Sequence, residues 1–488
     1  MCGCIFKKAY GYTTGGGILM ALQQITDIKH RLAETTKTVR QTKRAVLFSH
    51  VEAVPTMKPL QIYQSSGKSY KGERFYWENP EGNLTLCGMG VAAKLQPGAD
   101  SVGRFSQVKD QWGALLSMAS VNHCLGEMAT GPILFGGFSF MEGETGPIGL
   151  WEDFGDYLFY LPRFLLTESA NGTFLTSTKL ITEDCDDCSI ERFLEDREQL
   201  MSLSPAMVEE IPSFSHVEER DVEKWKEAIE RSVEDIRTGL LDKVVLAREV
   251  SLHFEGKIPS GTILHNLTEQ QPGSFIFGVE SGESCFLGAS PERLIKKEGK
   301  QIFSACLAGS IKRGDDARTD EQLGLELWND EKNRSEHEFV VSMMRKAMEE
   351  QCIELDIPQE PILMKLANIQ HLYTPVKGTS LPNSSILEFV ELLHPTPALG
   401  GAPRKIAMEK ISEYEQMERG FYSSPVGWMD MKGNGDFAVG IRSGLIKGGQ
   451  ASLFAGCGIV EGSVPESELT ETKVKFKPML NALGGLRI

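Results

Sequence analysis

Hydrophobic positions change their spacing several times along this chain. After Met20, Leu22, Ile25, Ile28 and Leu32 recur at helical intervals, the period of a helix with one buried face. Residues 1–19, MCGCIFKKAYGYTTGGGIL, have no such period and carry the run Gly15-Gly16-Gly17. They are expected to form a disordered N-terminal extension or a mis-assigned start, with Met20 a candidate initiator. An intact mass of the natively expressed protein that includes these residues would remove that reading.

Between about residues 45 and 200, short strand-like runs alternate with polar turns: Ala45–Phe48, Arg74–Trp77, Leu84–Gly88 and Ile133–Phe138. One helix is expected near Gln107–Cys124. The pair Gly136-Gly137 inside an aromatic strand marks a bulge or a close backbone approach. Pro205–Glu219, rich in Ser, Pro and Glu, reads as the boundary between an N-terminal half, 20–215, and a C-terminal half, 216–488. Beyond it the spacing predicts a helix over Asp221–Gly239, a strand over Lys243–Ser251, and long helices at about 319–351 and 404–416. Strands come in clusters and helices are long and separate. That pattern favours an α/β chain of the α+β type with mostly antiparallel sheets.

Composition narrows the partners. The 488 residues carry 51 Lys+Arg against 67 Asp+Glu, a net charge of −16, with no basic block. Nucleic acids and anionic membranes, which are bound by clustered Lys and Arg, are therefore not expected. The best apolar run, Ile18–Leu22, is far short of the ~18 residues that span a bilayer, and the chain reads as cytoplasmic. Its ten cysteines are scattered, so reduced thiols are expected. Cys185-x-x-Cys188 sits in an acidic loop without a second pair, and two solvent-near thiols outweigh a metal or redox role.

Four segments hold polar residues where packing alone would not put them. In KVVLARE (243–249) a strand places Lys243 on one face with Val245 and Ala247, an apolar setting that lowers a lysine pKa and suits a general base. The plain alternative is a strand-edge lysine reaching water. In FLGASPER (286–293) a buried strand is stopped by Ser290-Pro291, and the proline aims Glu292; a surface glutamate after a turn is the commoner meaning. In the helix around 330–340, Glu336 shares its face with Phe339, Val340, Met343 and Ala347, so one carboxylate is expected on the core-facing stripe, where a hard cation would balance it. Glu338 points away. In SVPESELTETKVK (463–475) Ser463 and Glu466 read as a capping box with Pro465 in the first turn. Glu471 and Lys475 then stand i, i+4, either as a surface ion pair or as a metal ligand beside an anion clamp. The glycine-bearing strands Leu307–Ser310 and Phe454–Val460 let a ligand approach backbone N–H groups. Neither matches GxGxxG or a P-loop, which excludes nucleotide binding on motif grounds.

Together these segments resemble the chorismate-utilising enzymes, and among them the isochorismate synthases of menaquinone biosynthesis. The matching pieces are KVVLARE (243–249), GASPERL (288–294), LAGSIKRG (307–314), NDEKNRSEHE (329–338), QHLYTPVKG (370–378), LHPTPALGGAP (393–403), FAVGIRSGL (437–445) and FAGCGIVEGSVPESE (454–468) with ETKVK (471–475). Upstream, GPILFGGFSF (131–140) resembles a strand of the family's N-terminal half. The resemblance implies one large unit, with two packed, mixed, mostly antiparallel sheets, helices outside and a site in the cleft. It implies Mg2+-dependent addition of water at C2 of chorismate with loss of the C4 hydroxyl. It further implies Lys243 as the base, Glu292 as the acid with a raised pKa, and Glu336 and Glu471 as Mg2+ ligands. Arg442, Lys475 and the backbone at Gly309 and Gly456 would hold the substrate carboxylates, with Ser310, His371, Ala398 and Leu399 in the pocket. Within the family, Ala308 stands where aminodeoxychorismate synthases place a nucleophilic lysine. Lys243 and Ser310 separate the chain from ammonia-using anthranilate synthases, so no amidotransferase partner is expected. Salicylate synthases share Lys243, Glu292 and the metal ligands and remain an alternative, as does a non-catalytic relative. Siderophore-pathway isochorismate synthases remain one too, and for them the resemblance implies a shorter N-terminal half than the about 200 residues here. A monomer or weak homodimer is expected.

Overall fold

The strand Tyr157–Ser169 joins the two layers of the molecule. It is buried at nearly every position, the mark of a strand covered on both faces. Along one edge it pairs with Leu84–Leu95, and along the other with Ile133–Phe138 and then Gly172–Ile181. From Leu84–Leu95, pairing passes through Arg74–Glu78, Phe275–Ser281, Ser284–Ser290, Ser443–Lys447 and Gln450–Ile459 to Lys243–Phe254. From Ile133–Phe138 it passes through Pro425–Asp430, Gly435–Val439, Arg293–Glu298 and Gln301–Lys312 to Ile369–Ser380. All these pairs are antiparallel. Among the described residues, the only parallel pair joins Val46–Val54 to Ala119–Val121. The computed structural model describes residues 15–97, 103–122, 126–143, 149–205, 207–365, 369–415 and 417–486.

The expected two layers are thus two arms of one continuous hydrogen-bonded ribbon. Aromatic side chains fill the space between them: Phe75 stacks on Phe135 with ring centres 4.1 Å apart, and Trp77 meets the same ring edge-on at 5.8 Å. Offset and edge-to-face contacts of this kind add to the area that the rings bury. The glycine pair explains itself here. A Cβ on Gly136 would lie 1.8 Å from the carbonyl oxygen of Leu158, so the neighbouring strand could not approach a larger residue. The outer face of the Lys243 arm is covered by the helices Ser260–Gln270 and Pro465–Ala482, whose Ile263, Leu264, Phe476 and Met479 join its alternate strand residues in one cluster.

Several boundaries move. The first helix runs Gly15–Thr42, so it begins before Met20; residues 1–14 of the expected extension lie outside the described residues. The expected helix at 319–351 is two, Ala317–Asn329 and Glu331–Glu349, broken at Asp330, whose carboxylate caps the second by accepting from the Asn333 N–H at 2.7 Å. Part of the polar connection is ordered: Phe214–Glu219 pairs with Lys243–Phe254. The capping box at Ser463 does not form. The helix starts at Pro465 from an N-cap at Val464, and the Ser463 hydroxyl turns back to accept from the Val460 N–H. Cys185 and Cys188 are free thiols. Among the described residues, no helix is long and apolar enough to cross a membrane.

Candidate active site

Where the ends of the two arms meet, one cavity is lined by Lys243, Glu292, Gly309, Ser310, Glu336, His371, Ala398, Leu399, Arg442, Gly456, Glu471 and Lys475. These are the twelve positions singled out in the sequence, gathered from segments more than two hundred residues apart. A larger cavity, about 660 Å3, lies elsewhere and contains none of them. Its most buried charges, Arg74 and Glu280, are already paired with each other.

Lys243 opens its strand and is buried. Its backbone does not lie on an open edge, because Ala402 of the short strand Gly401–Ala402 pairs with it. Nor are its neighbours only apolar: its Nζ forms an ion pair with Glu336. Room for the ammonium comes from Gly458 on the adjacent strand, where a Cβ would sit 2.6 Å from Lys243 Cε.

Glu292 lies in the tight connection between Ser284–Ser290 and Arg293–Glu298. Its N–H donates to the Ser290 hydroxyl at 3.2 Å, and its carbonyl accepts from the Val439 N–H at 3.0 Å. The turn is therefore pinned and its side chain directed inward, not to the surface. Burial pushes the Glu292 carboxyl up to about 7, against the pull of Arg442, Lys243 and Lys475. Removing water from around a carboxylate penalises its charged form.

Arg442 and Lys475 supply the positive end. Arg442 has φ of 52°, a left-handed conformation that costs a side-chain-bearing residue energy and that collects at functional sites. Burial lowers its pKa. Lys475 donates to Glu471 at 2.6 Å and to the Gly456 carbonyl at 2.7 Å. Burial pulls the Glu471 carboxyl up, but Lys475 and Arg442 outweigh it and hold the group below its ordinary value. Burial, with the charges of Arg442 and Lys475, drives His371 down to about 3, so its ring is neutral; its Nε2 has no protein partner among the described residues. Three cationic side chains thus face three carboxyls, one of which tends to keep its proton. An acidic protein has made a locally positive pocket.

A sequence model described as "chorismate binding enzyme" matches residues 32–484. The chain belongs to the chorismate-binding enzyme family. It is 42% identical over 461 residues to the isochorismate synthase MenF of Bacillus subtilis, covering 92% of this chain and 96% of that one. It is 34% identical to the salicylate biosynthesis isochorismate synthase of Pseudomonas aeruginosa, covering 91% and 92%. The solved structure of the menaquinone-specific isochorismate synthase MenF from Escherichia coli superposes with a TM-score of 0.74 at 24% identity, over 93% of this chain and 99% of that one. That likeness shows a shared fold.

The Mg2+ associated with the family can be tested against the donors present. Glu336 and Glu471 come from two different helices to one cavity. Among the described residues no third His, Cys or acidic side chain joins them in a cluster. Two carboxylates suit Mg2+, which takes one or two and completes its shell with water and substrate oxygens; a structural zinc site would need four ligands. Lys243 and Lys475 balance the two carboxylates here, so a bound cation would take over that charge.

Within this family member the sequence missed other lining groups: Val245, Pro291, Tyr422, Ser423, Ile441 and Gly458. Tyr422 is buried and stacks on Phe454 with ring centres 5.4 Å apart. A lone tyrosine in a loop carries no periodic signal. Ser423 has φ of 60°, which no local residue pattern announces. The helix Glu331–Glu349 is also rotated from the expected phase. Its buried stripe is His337, Val340, Met344 and Met348, while Glu336 lies at the stripe's edge with its side chain 23% exposed, towards the cavity. Glu338 is exposed as expected.

Proposed function

We propose that this protein is an isochorismate synthase that converts chorismate to isochorismate for menaquinone biosynthesis. The observation that carries the reading is a buried carboxyl inclined to hold its proton, Glu292, in one cavity with Lys243 and a cationic end made by Arg442 and Lys475. With its Nζ as the neutral amine, released from the ion pair with Glu336, Lys243 takes a proton from water as the water oxygen bonds to C2 of chorismate. The ring double bonds shift, the C4–O bond breaks, and Glu292 gives its proton to the departing hydroxyl. One water enters and one leaves, so the product is an isomer. Hydroxide is a poor leaving group, and a positioned acid accelerates its loss by about 10² to 10⁴. Arg442, Lys475 and backbone groups at Gly309 and Gly456 hold the carboxylates, with Ser310, His371, Ala398 and Leu399 shaping the pocket. Glu336 and Glu471 would hold Mg2+, which when bound would neutralise substrate carboxylate charge.

The second reading is a siderophore or salicylate pathway, favoured by the likeness to the Pseudomonas aeruginosa relative named for salicylate biosynthesis. A salicylate synthase would go on to eliminate pyruvate. We place the enzyme in the cytoplasm as a monomer or weak homodimer acting without an amidotransferase subunit. The test is incubation of the protein with chorismate and Mg2+, followed by chromatography that resolves isochorismate from salicylate plus pyruvate. Isochorismate alone supports the reading. Salicylate with pyruvate, or a product that depends on ammonium, overturns it.

A further inference from the structure

His337 stands on the apolar stripe of the helix Glu331–Glu349, in line with Val340, Met344 and Met348, and is 2% exposed. An aliphatic residue would fill this place without bringing polar atoms into the core. The imidazole instead spends both nitrogens on two strands of the cavity wall. Nδ1 lies 3.1 Å from the carbonyl oxygen of Ala308, and Nε2 lies 2.7 Å from the hydroxyl of Thr374. A carbonyl only accepts, so Nδ1 carries the proton, and in the neutral ring Nε2 accepts from the threonine.

Ala308 is the residue before a break in strand register. In the ladder Ala308 faces Leu372 and Ser310 faces His371, leaving Gly309 as the extra residue of a bulge at φ of 75°. A Cβ on Gly309 would lie 3.1 Å from Asn333 Oδ1 on the same helix, so the bulge and the helix are fitted closely. Bulges re-aim backbone and side chains near active sites, and this one brings Gly309 and Ser310 to the cavity. Glu336, which also lines it, is the residue immediately before His337.

We infer that His337 is a positioning residue for the reaction: it locks the helix that carries Glu336 to the Ala308–Gly309–Ser310 bulge and to the Thr374 strand. The spacing between the metal-binding carboxylate and the wall that receives a substrate carboxylate is then set by one ring. This rests on the reading given under Proposed function. Without the ring, a buried carbonyl and a buried hydroxyl lose their partners, and the bulge is no longer referenced to the helix.

The test compares His337→Leu with His337→Asn, whose amide nitrogen can occupy the place of Nδ1 and keep the bond to Ala308. Chorismate KM is measured by kinetics, and Mg2+ and chorismate binding by calorimetry. Folding is monitored by thermal melting. His337→Leu is expected to weaken chorismate and Mg2+ binding by about tenfold or more, and His337→Asn to restore both to within about threefold of the parent. A folded His337→Leu with parental binding, or His337→Asn as impaired as His337→Leu, overturns the inference. Should His337→Leu not fold, Thr374→Val removes only the Nε2 partner and is expected to weaken both by about threefold; unchanged binding there overturns it equally. The product formed by the unsubstituted protein is identified in the same series, so a wrong reaction assignment shows in that control and a wrong role for His337 in the variant ratios.

Discussion

Lys243 and Glu336 form an ion pair that ties the first residue of the strand Lys243–Phe254 to the helix Glu331–Glu349. One partner is the proposed base and the other a proposed metal ligand, and in the ion pair each neutralises the other's charge. Their roles separate on substitution.

Lys243→Ala should abolish water addition while chorismate binding stays within about tenfold, because a base acts in the transition state and not in the ground state. Steady-state kinetics and calorimetry check this. Equal losses in binding and in kcat/KM would make Lys243 an anchor only.

Glu336→Gln and Glu471→Gln should each raise the Mg2+ concentration needed for half-maximal activity, by about tenfold or more, since each removes one of two hard oxygen anions. A Mg2+ titration of activity reads the effect directly. An unchanged titration would exclude the residue as a ligand.

The raised pKa of Glu292 has a definite sign in pH. The carboxyl holds its proton below about 7, so acid catalysis is present there and kcat should fall by about tenfold per unit as pH rises beyond it. Stability follows the same direction. The native state binds this proton more tightly than the unfolded chain, so between the model-peptide range and about 7 the native state loses stability as pH rises, on the order of 3 kcal/mol in all. Glu292→Gln should flatten both slopes, and a parental pH profile in that variant would assign the limb to another group.

Gly458→Ala should lower kcat by about tenfold or more with a melting temperature near that of the parent, because the added methyl displaces the Lys243 side chain. Parental turnover would mean that the lysine tolerates relocation.

Deleting residues 20–215 should leave an unfolded remainder. Strands on both sides of the boundary share ladders, Arg74–Glu78 with Phe275–Ser281 and Ile133–Phe138 with Pro425–Asp430. Circular dichroism of the 216–488 fragment checks this, and a folded, active fragment would contradict a single unit.

Much of the chemistry was legible because it sits in short, ordered segments. Lys243, Glu292 and Glu471 each carry a local anomaly: a charge on an apolar strand face, a carboxyl after Ser-Pro, an i, i+4 pair with Lys475. What escaped depends on phase and on distant partners. The helical pattern fits Glu336 or His337 on the core stripe almost equally, since neighbouring positions differ by about 100°, and only the strands behind the helix decide between them. Ser463 had the right spacing for a cap, but the strand ending at Ile459 had already claimed its hydroxyl through Val460. The bulge at Gly309 is a register event between two strands, and one strand's residues do not encode it.

The ribbon's doubling-back at Tyr157–Ser169 also bears on synthesis. Gly137 finds its ladder partner in Val426, and Phe75 finds its own in Val279. During translation the strand Ile133–Phe138 must therefore wait, with the ladder edge that pairs with Pro425–Asp430 open, until most of the chain has left the ribosome. Nascent chains stalled before Pro425 present that open edge to the cell, and chaperone demand should drop once Asp430 has emerged.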